Sequence, residues 1–126
     1  MKILITGANG QLGRELAKQY KEKKEIKLIL TKRSDLDISN INEVYKFVNE
    51  NKPDVIINCA ALTAVDRCES EIDMAYKINA IGPKNLAIAA NEIGAEIVQV
   101  STDYVFGGNI DKSLTEFDKI DPQTIY

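Results

Sequence analysis

The sequence predicts an α/β fold built on a doubly wound parallel sheet, and three observations carry the prediction. Four short, mostly apolar runs, at Lys2 to Thr6, Ile26 to Thr31, Asp54 to Cys59 and Ala95 to Val100, read as strands; the first is almost wholly apolar, which suits a strand buried on both faces of a parallel sheet, and the third has a continuously apolar centre, Val55-Ile56-Ile57. Between them, apolar residues recur at helical spacing. Right-handed crossovers between such strands predict the order 3-2-1-4. The third observation is the stretch Gly7-Ala8-Asn9-Gly10-Gln11-Leu12-Gly13, which joins the first strand to the first helix.

The first strand is expected at the sheet centre, and the glycine stretch reads as strand, tight turn and helix start. Glycines let the backbone approach a ligand closely, and a helix start offers unpaired N–H groups and a positive dipole end. A diphosphate suits both, most naturally that of a dinucleotide. The glycines stand at intervals of three and three, one residue longer in the first interval than the G-x-G-x-x-G fingerprint. A purely structural turn is the alternative reading. The first helix is expected from Gly10 to Lys21, burying Leu12, Leu16, Ala17 and Tyr20, before a solvated charge run from Lys21 to Glu25.

The second strand ends about twenty residues after the turn, where a dinucleotide places its adenosine ribose. The residues there are Thr31, Lys32 and Arg33. An NAD site usually sets Asp or Glu at this point, whereas a planar guanidinium suits a 2′-phosphate, so NADPH is favoured over NADH. The alternative is two exposed loop charges, for Lys32 in particular. Asp37 is placed to accept from an adenine amino group and Ile38 to cover the ring; equally, Asp37 or Ser39 begins the next helix as its N-cap. Ile41, Val44, Tyr45 and Val48 mark that helix, which stops before Lys52-Pro53. Beyond the third strand, Cys59, Ala60 and Ala61 lie where ligands bind in open parallel sheets, and small residues there let a cofactor pass the backbone. Tight packing explains the alanines equally well.

Thr63 to Glu71 is polar and reads as a loop or short helix. A long helix follows, with Ile72, Ala75, Tyr76, Asn79, Leu86, Ala90 and Ile93 on its expected buried face and a stop at Gly94. Asn79 is either a satisfied core amide or the organiser of a site, and Gly82-Pro83 predicts a kink. The fourth strand delivers Ser101 and Thr102 to the edge that carries the glycine turn. Asn109 to Thr124 has turn residues and no sustained period, which predicts a loop.

Composition narrows the function classes. The 126 residues are 44% hydrophobic and 28% charged, as in one globular domain. A net charge of −3 supplies no basic field for nucleic acid. No apolar run approaches the ~20 residues of a membrane span, and none resembles a signal peptide, which predicts a cytoplasmic protein. Cys59 and Cys68 lack the number and spacing of a zinc site, and the absence of histidine argues against metal centres and His-based triads.

TGANGQLG at the first turn, NCAALTAVD after the third strand, INAIGPKNLA in the long helix, STDYVF after the fourth strand and Tyr126 together resemble the amino-terminal part of the dTDP-4-dehydrorhamnose reductases, which are extended short-chain dehydrogenases/reductases. The match runs in register over all 126 residues, so the span is expected to be the dinucleotide-binding domain, Rossmann-like and truncated before the substrate lobe. The resemblance implies NADPH- or NADH-dependent reduction of the C4 ketone of dTDP-6-deoxy-L-lyxo-4-hexulose to dTDP-L-rhamnose. It implies cofactor contacts at Gly7, Gly10, Gln11, Leu12, Gly13, Arg33, Asp37, Ile38, Cys59, Ala60, Ala61 and Asn79. Thr102 would bond the sugar carbonyl, Tyr126 would be the catalytic acid, and Asp103, Tyr104 and Phe106 would contact substrate. The family has a lysine four residues beyond its tyrosine, outside this sequence, and Tyr126 as the last residue is expected to fray. Cofactor binding without turnover is therefore expected of this span. Glu15 matches a carboxylate that holds Mg2+ at a homodimer interface in some members, an ordinary surface glutamate being the alternative. Two rivals resemble the same family: a non-catalytic regulatory subunit like that of methionine adenosyltransferase, and a nucleotide-sugar epimerase.

Overall fold

The computed structural model describes residues 1–108 and 111–126; Asn109 and Ile110, within the predicted loop, lie outside the described residues. Four parallel strands form one sheet: β1 (Lys2–Thr6), β2 (Lys27–Leu30), β3 (Val55–Asn58) and β4 (Glu96–Gln99). Each lies within its predicted run. Helices α1 (Gln11–Lys21), α2 (Ile41–Asn51) and the long connection before β4 are the crossovers. That connection comprises α3 (Val65–Ser70), α4 (Ile72–Tyr76), a π-helical turn (Lys77–Ile81) and α5 (Gly82–Ile93).

The sheet is doubly wound, with order β2-β1-β3-β4. On the chain's own numbering this corrects one placement in the order 3-2-1-4: the third strand pairs with β1 instead of lying outside β2. The outermost position of that order is left without a strand, since residues 31–40 after β2 form turns. Leu36 and Ile38 there are nonetheless buried, in a core with Leu4, Val44, Val48, Ile56, Leu86, Ala89 and Ala90 beneath α2 and α5. The other face buries Ile3, Ile5 and Ile57 against Leu16 and Tyr20 of α1. Both faces of β1 are thus covered, which is why its run is continuously apolar.

Side-chain directions depart from the helical pattern at three places. Leu12 is 44% exposed at the start of α1, and Ile72 and Tyr76 are 46% and 58% exposed on α4. The cause for the last two is the π turn, whose wider winding shifts the phase of α4 against α5. Pro83, where a kink is expected, stands in the first turn of α5 directly after the π turn, and the Gly82 N–H before it donates to the Lys77 carbonyl. Asn40, not Asp37 or Ser39, caps α2, accepting from the N–H groups of Asn42 and Glu43. Lys52 leaves the helix in the left-handed region at φ 44°, and Gly94 ends α5 at φ 70°.

Candidate active site

The turn after β1 requires glycine for reasons visible in the packing. Gly7 has φ +62°, and a Cβ on it would lie 2.7 Å from the backbone nitrogen of Ala60. A Cβ on Gly13 would lie 2.5 Å from the carbonyl oxygen of Gly7, so α1 begins directly against the turn. The turn is fixed from both sides: the Gly10 N–H donates to the Gly7 carbonyl at 2.9 Å and the Ala8 N–H to the Thr31 carbonyl at 2.9 Å. No side chain caps α1, and its first helical bond runs from the Arg14 N–H to the Gly10 carbonyl. The N–H groups of Gln11, Leu12 and Gly13, ahead of it, have no intrahelical partner, and these residues line the larger of the two cavities at the turn.

Two cavities meet at this turn, sharing Gly10, Cys59, Ala60 and Ala61. The smaller, about 230 Å³, extends past Gly7 to Lys32, Arg33, Asp37 and Ile38. The larger, about 560 Å³, extends past Gln11, Leu12 and Gly13 to Asn79, Thr102 and Tyr126. Exposure of Leu12 follows from its place on that wall. All the residues expected to contact cofactor, and both expected catalytic residues, therefore line one bent trough across the carboxyl ends of the strands. Asp103, Tyr104 and Phe106 line a separate hollow of about 400 Å³. Glu15 lies outside these cavities on exposed α1, accepting from the Gln19 amide at 3.2 Å; no cluster of metal-ligating side chains occurs among the described residues.

Each side chain is held by identifiable partners. Asp37 Oδ1 accepts from the Ser39 N–H at 2.9 Å and the Ser39 hydroxyl at 2.7 Å, which lowers the Asp37 pKa, with a smaller contribution from the Arg33 charge. Ile38 is buried, its side chain packed where a Cβ on Gly82 would fall 2.6 Å away and its carbonyl accepting from Asn85 at 2.9 Å. Its side chain packs in the core and also lines the smaller cavity. Burial pushes the Cys59 thiol pKa up, as befits an inert packing residue. Asn79 satisfies both halves of its amide on one residue: Oδ1 accepts from the Leu62 N–H at 2.8 Å and Nδ2 donates to the Leu62 carbonyl at 3.0 Å. It is a satisfied amide that also shapes the trough, by clamping the loop after β3.

Thr102 Oγ1 caps a 3₁₀ turn (Asp103–Val105), accepting from the Tyr104 N–H at 3.2 Å. The Tyr126 ring meets that of Tyr104 edge-on, centroids 5.4 Å apart. The segment before Tyr126 is tied at two points: the Ile125 N–H donates to Glu69 of α3 at 2.7 Å and the Asp121 N–H to the Val105 carbonyl at 2.8 Å.

A polar chain, buried at Thr6 and Asn58 and exposed at Gln99, was not read from the sequence. The Thr6 hydroxyl donates to Asn58 Oδ1, the Ala60 N–H donates to the same oxygen at 3.2 Å, and Asn58 Nδ2 donates to Gln99 Oε1 at 2.7 Å. Thr6 and Asn58 are each 1% exposed. The available signal was one polar residue closing each of three apolar runs.

Sheet, glycine turn and trough together define a Rossmann-like α/β domain of the short-chain dehydrogenase/reductase kind. The family described as "RmlD substrate binding domain" matches residues 1–126. The chain belongs to that RmlD family. It is similar to a dTDP-4-dehydrorhamnose reductase of Clostridium acetobutylicum, with 64% identity and a TM-score of 0.98 over 100% of this chain and 45% of that one. It is similar to a dTDP-4-dehydrorhamnose reductase of Bacillus anthracis solved in complex with NADP, with 45% identity and a TM-score of 0.95 over 99% of this chain and 44% of that one. A curated relative, the spore coat polysaccharide biosynthesis protein SpsK of Bacillus subtilis, is 44% identical over 125 residues, 99% of this chain and 44% of that protein. This chain thus spans less than half the length of these relatives.

Proposed function

We propose that this chain is the cofactor-binding part of an NADPH-dependent dTDP-4-dehydrorhamnose reductase. The observation that carries the reading is the single trough running from Arg33, past a glycine turn with no room for a side chain, to Thr102 and Tyr126. The residues fit the cofactor. The glycines at 7, 10 and 13 admit a diphosphate against backbone, the uncapped start of α1 complements its charge, and Arg33 presents a planar fork to a 2′-phosphate. Bound there, the reduced nicotinamide supplies a hydride to the substrate carbon. Thr102 bonds the C4 carbonyl of the dTDP-sugar, Tyr126 delivers its phenolic proton to that oxygen, and Tyr104 steadies the Tyr126 ring from its edge. Asp103, Tyr104 and Phe106 face the sugar nucleotide. We read Glu15 as a surface residue whose role in a homodimer or with Mg2+ depends on a partner subunit.

Calorimetric titration with NADPH and NADH tests the cofactor reading. The chain binds NADPH more tightly, and Arg33→Ala weakens NADPH alone, by about 1.5 to 3 kcal/mol for a charge-assisted pair at full strength. Equal affinities, or indifference to the substitution, would overturn it.

A further inference from the structure

The loop between β2 and α2 contains two cations, Lys32 and Arg33, and two carboxylates, Asp35 and Asp37, with a third, Glu43, in the first turn of α2, yet no ion pair forms between them among the described residues. Each carboxylate is taken by neighbouring donors. Asp35 accepts from the Lys32 N–H and the Ser34 hydroxyl, both at 3.2 Å. Glu43 accepts from the Asn40 amide at 2.8 Å and the Asp37 N–H at 3.3 Å. Asp37 is held twice through one oxygen by Ser39. Arg33, whose charge is near enough to influence Asp37, lies instead against a neutral atom, its Nη2 at 3.9 Å from Met74 Sδ. The backbone beneath Asp37 has little freedom to adjust, because Ile38 is anchored by Asn85 and packed on Gly82.

A guanidinium next to a free carboxylate would pair with it, and that pair would have to break before a phosphate could bind. We infer that Ser39 is a specificity-determining positioning residue: by holding Asp37 Oδ1 with its hydroxyl and its N–H, it keeps the Asp37 carboxylate off Arg33 and leaves the guanidinium, resting on Met74, open to the 2′-phosphate of NADPH. The inference rests on the NADPH reading above. It names a residue that need not touch the cofactor yet sets the preference between its two forms.

The test is calorimetric titration of NADPH and NADH on the chain itself, on Ser39→Ala, Ser39→Thr, Arg33→Ala and the double variant Ser39→Ala/Asp37→Asn. Ser39→Ala is expected to weaken NADPH roughly threefold to fivefold, the scale of an exposed ion pair that must now be broken, and to leave NADH within twofold. Removing the competing charge in the double variant restores the parent's ratio of NADPH to NADH affinity, since any loss at the adenine end falls on both nucleotides alike, and Ser39→Thr, which keeps the hydroxyl, behaves like the parent. If Arg33→Ala abolishes the NADPH preference while Ser39→Ala leaves both affinities unchanged, the role of Ser39 is refuted and the cofactor reading stands. Equal loss of both nucleotides in Ser39→Ala, unrelieved by Asp37→Asn, makes Ser39 merely structural and also refutes the inference. A parent chain without NADPH preference overturns both readings.

Discussion

Replacing Asn58 with alanine should loosen the sheet end on which the trough is built. The amide joins β1, β3 and β4 through Thr6 and Gln99 and also holds the Ala60 N–H, so the substitution removes three hydrogen bonds. At about 1 kcal/mol each, the loss is about 3 kcal/mol, and the small void left at a site 1% exposed adds to it. Urea unfolding at unchanged m-value reads this directly, and the melting temperature should fall by roughly 10 °C for a domain of this size. Thr6→Val tests whether the bonds act together. Its cost in the parent, about 1 kcal/mol, should largely vanish in the Asn58→Ala background, where the hydroxyl has already lost its acceptor. A loss under 1 kcal/mol for Asn58→Ala, or simple additivity with Thr6→Val, would refute the idea that this chain of side chains fastens the strands.

Three further outcomes follow from local geometry. Gly7→Ala places a Cβ 2.7 Å from Ala60 in a left-handed conformation, so it should cost about 2 kcal/mol or more in thermal unfolding and abolish NADPH binding; a stable, binding-competent variant would show that the turn can relax. Asn79→Ala should speed hydrogen exchange at the Leu62 amide well beyond that of the neighbouring β3 amides, and unchanged protection would mean that Asn79 is not its clamp. Asp118 is held to a pKa of about 2, first by the Lys112 ammonium and then by the Thr115 turn. Because that lies below its ordinary 3.8, the stabilisation is complete above the ordinary value and disappears as pH falls through about 2. Carboxyl NMR titration of Lys112→Ala should move the midpoint up toward 3.8, and a midpoint still near 2 would leave the turn as the sole cause.

The elements were legible because most of them are local. Val55-Ile56-Ile57 announces a doubly covered strand, Lys52-Pro53 a helix end, and Gly94 a left-handed stop. Which side of β1 the third strand takes is not local: the apolar run is the same on either side, and the packing of α2 and α5 over Leu4 and Ile56 decides it. Most of the trough was legible residue by residue, since all its expected wall residues but Asn79 and Tyr126 follow the carboxyl end of a strand within a few residues. The Thr6, Asn58 and Gln99 chain was not, because it exists only through the register that sets Thr6 opposite Asn58 and Asn58 opposite Gln99. Ser39 and Met74 escaped for a similar reason. Neither carries a charge, and each matters through a neighbour brought close by folding.

The π turn at Lys77–Ile81 has a consequence for how this chain can change over generations. A helix rotates about 100° per residue, so deleting one residue there would restore regular winding while swinging everything before it by that angle. The half from Gly82 onward is seated on Ile38 and the core, so the swing falls on Met74 and Ala75, and the grip of Asn79 on Leu62 is lost. Substitutions on the solvent side of this helix are open to drift; its residue count is not. One supernumerary residue works as a gear tooth, meshing a half that serves the trough with a half that serves the core.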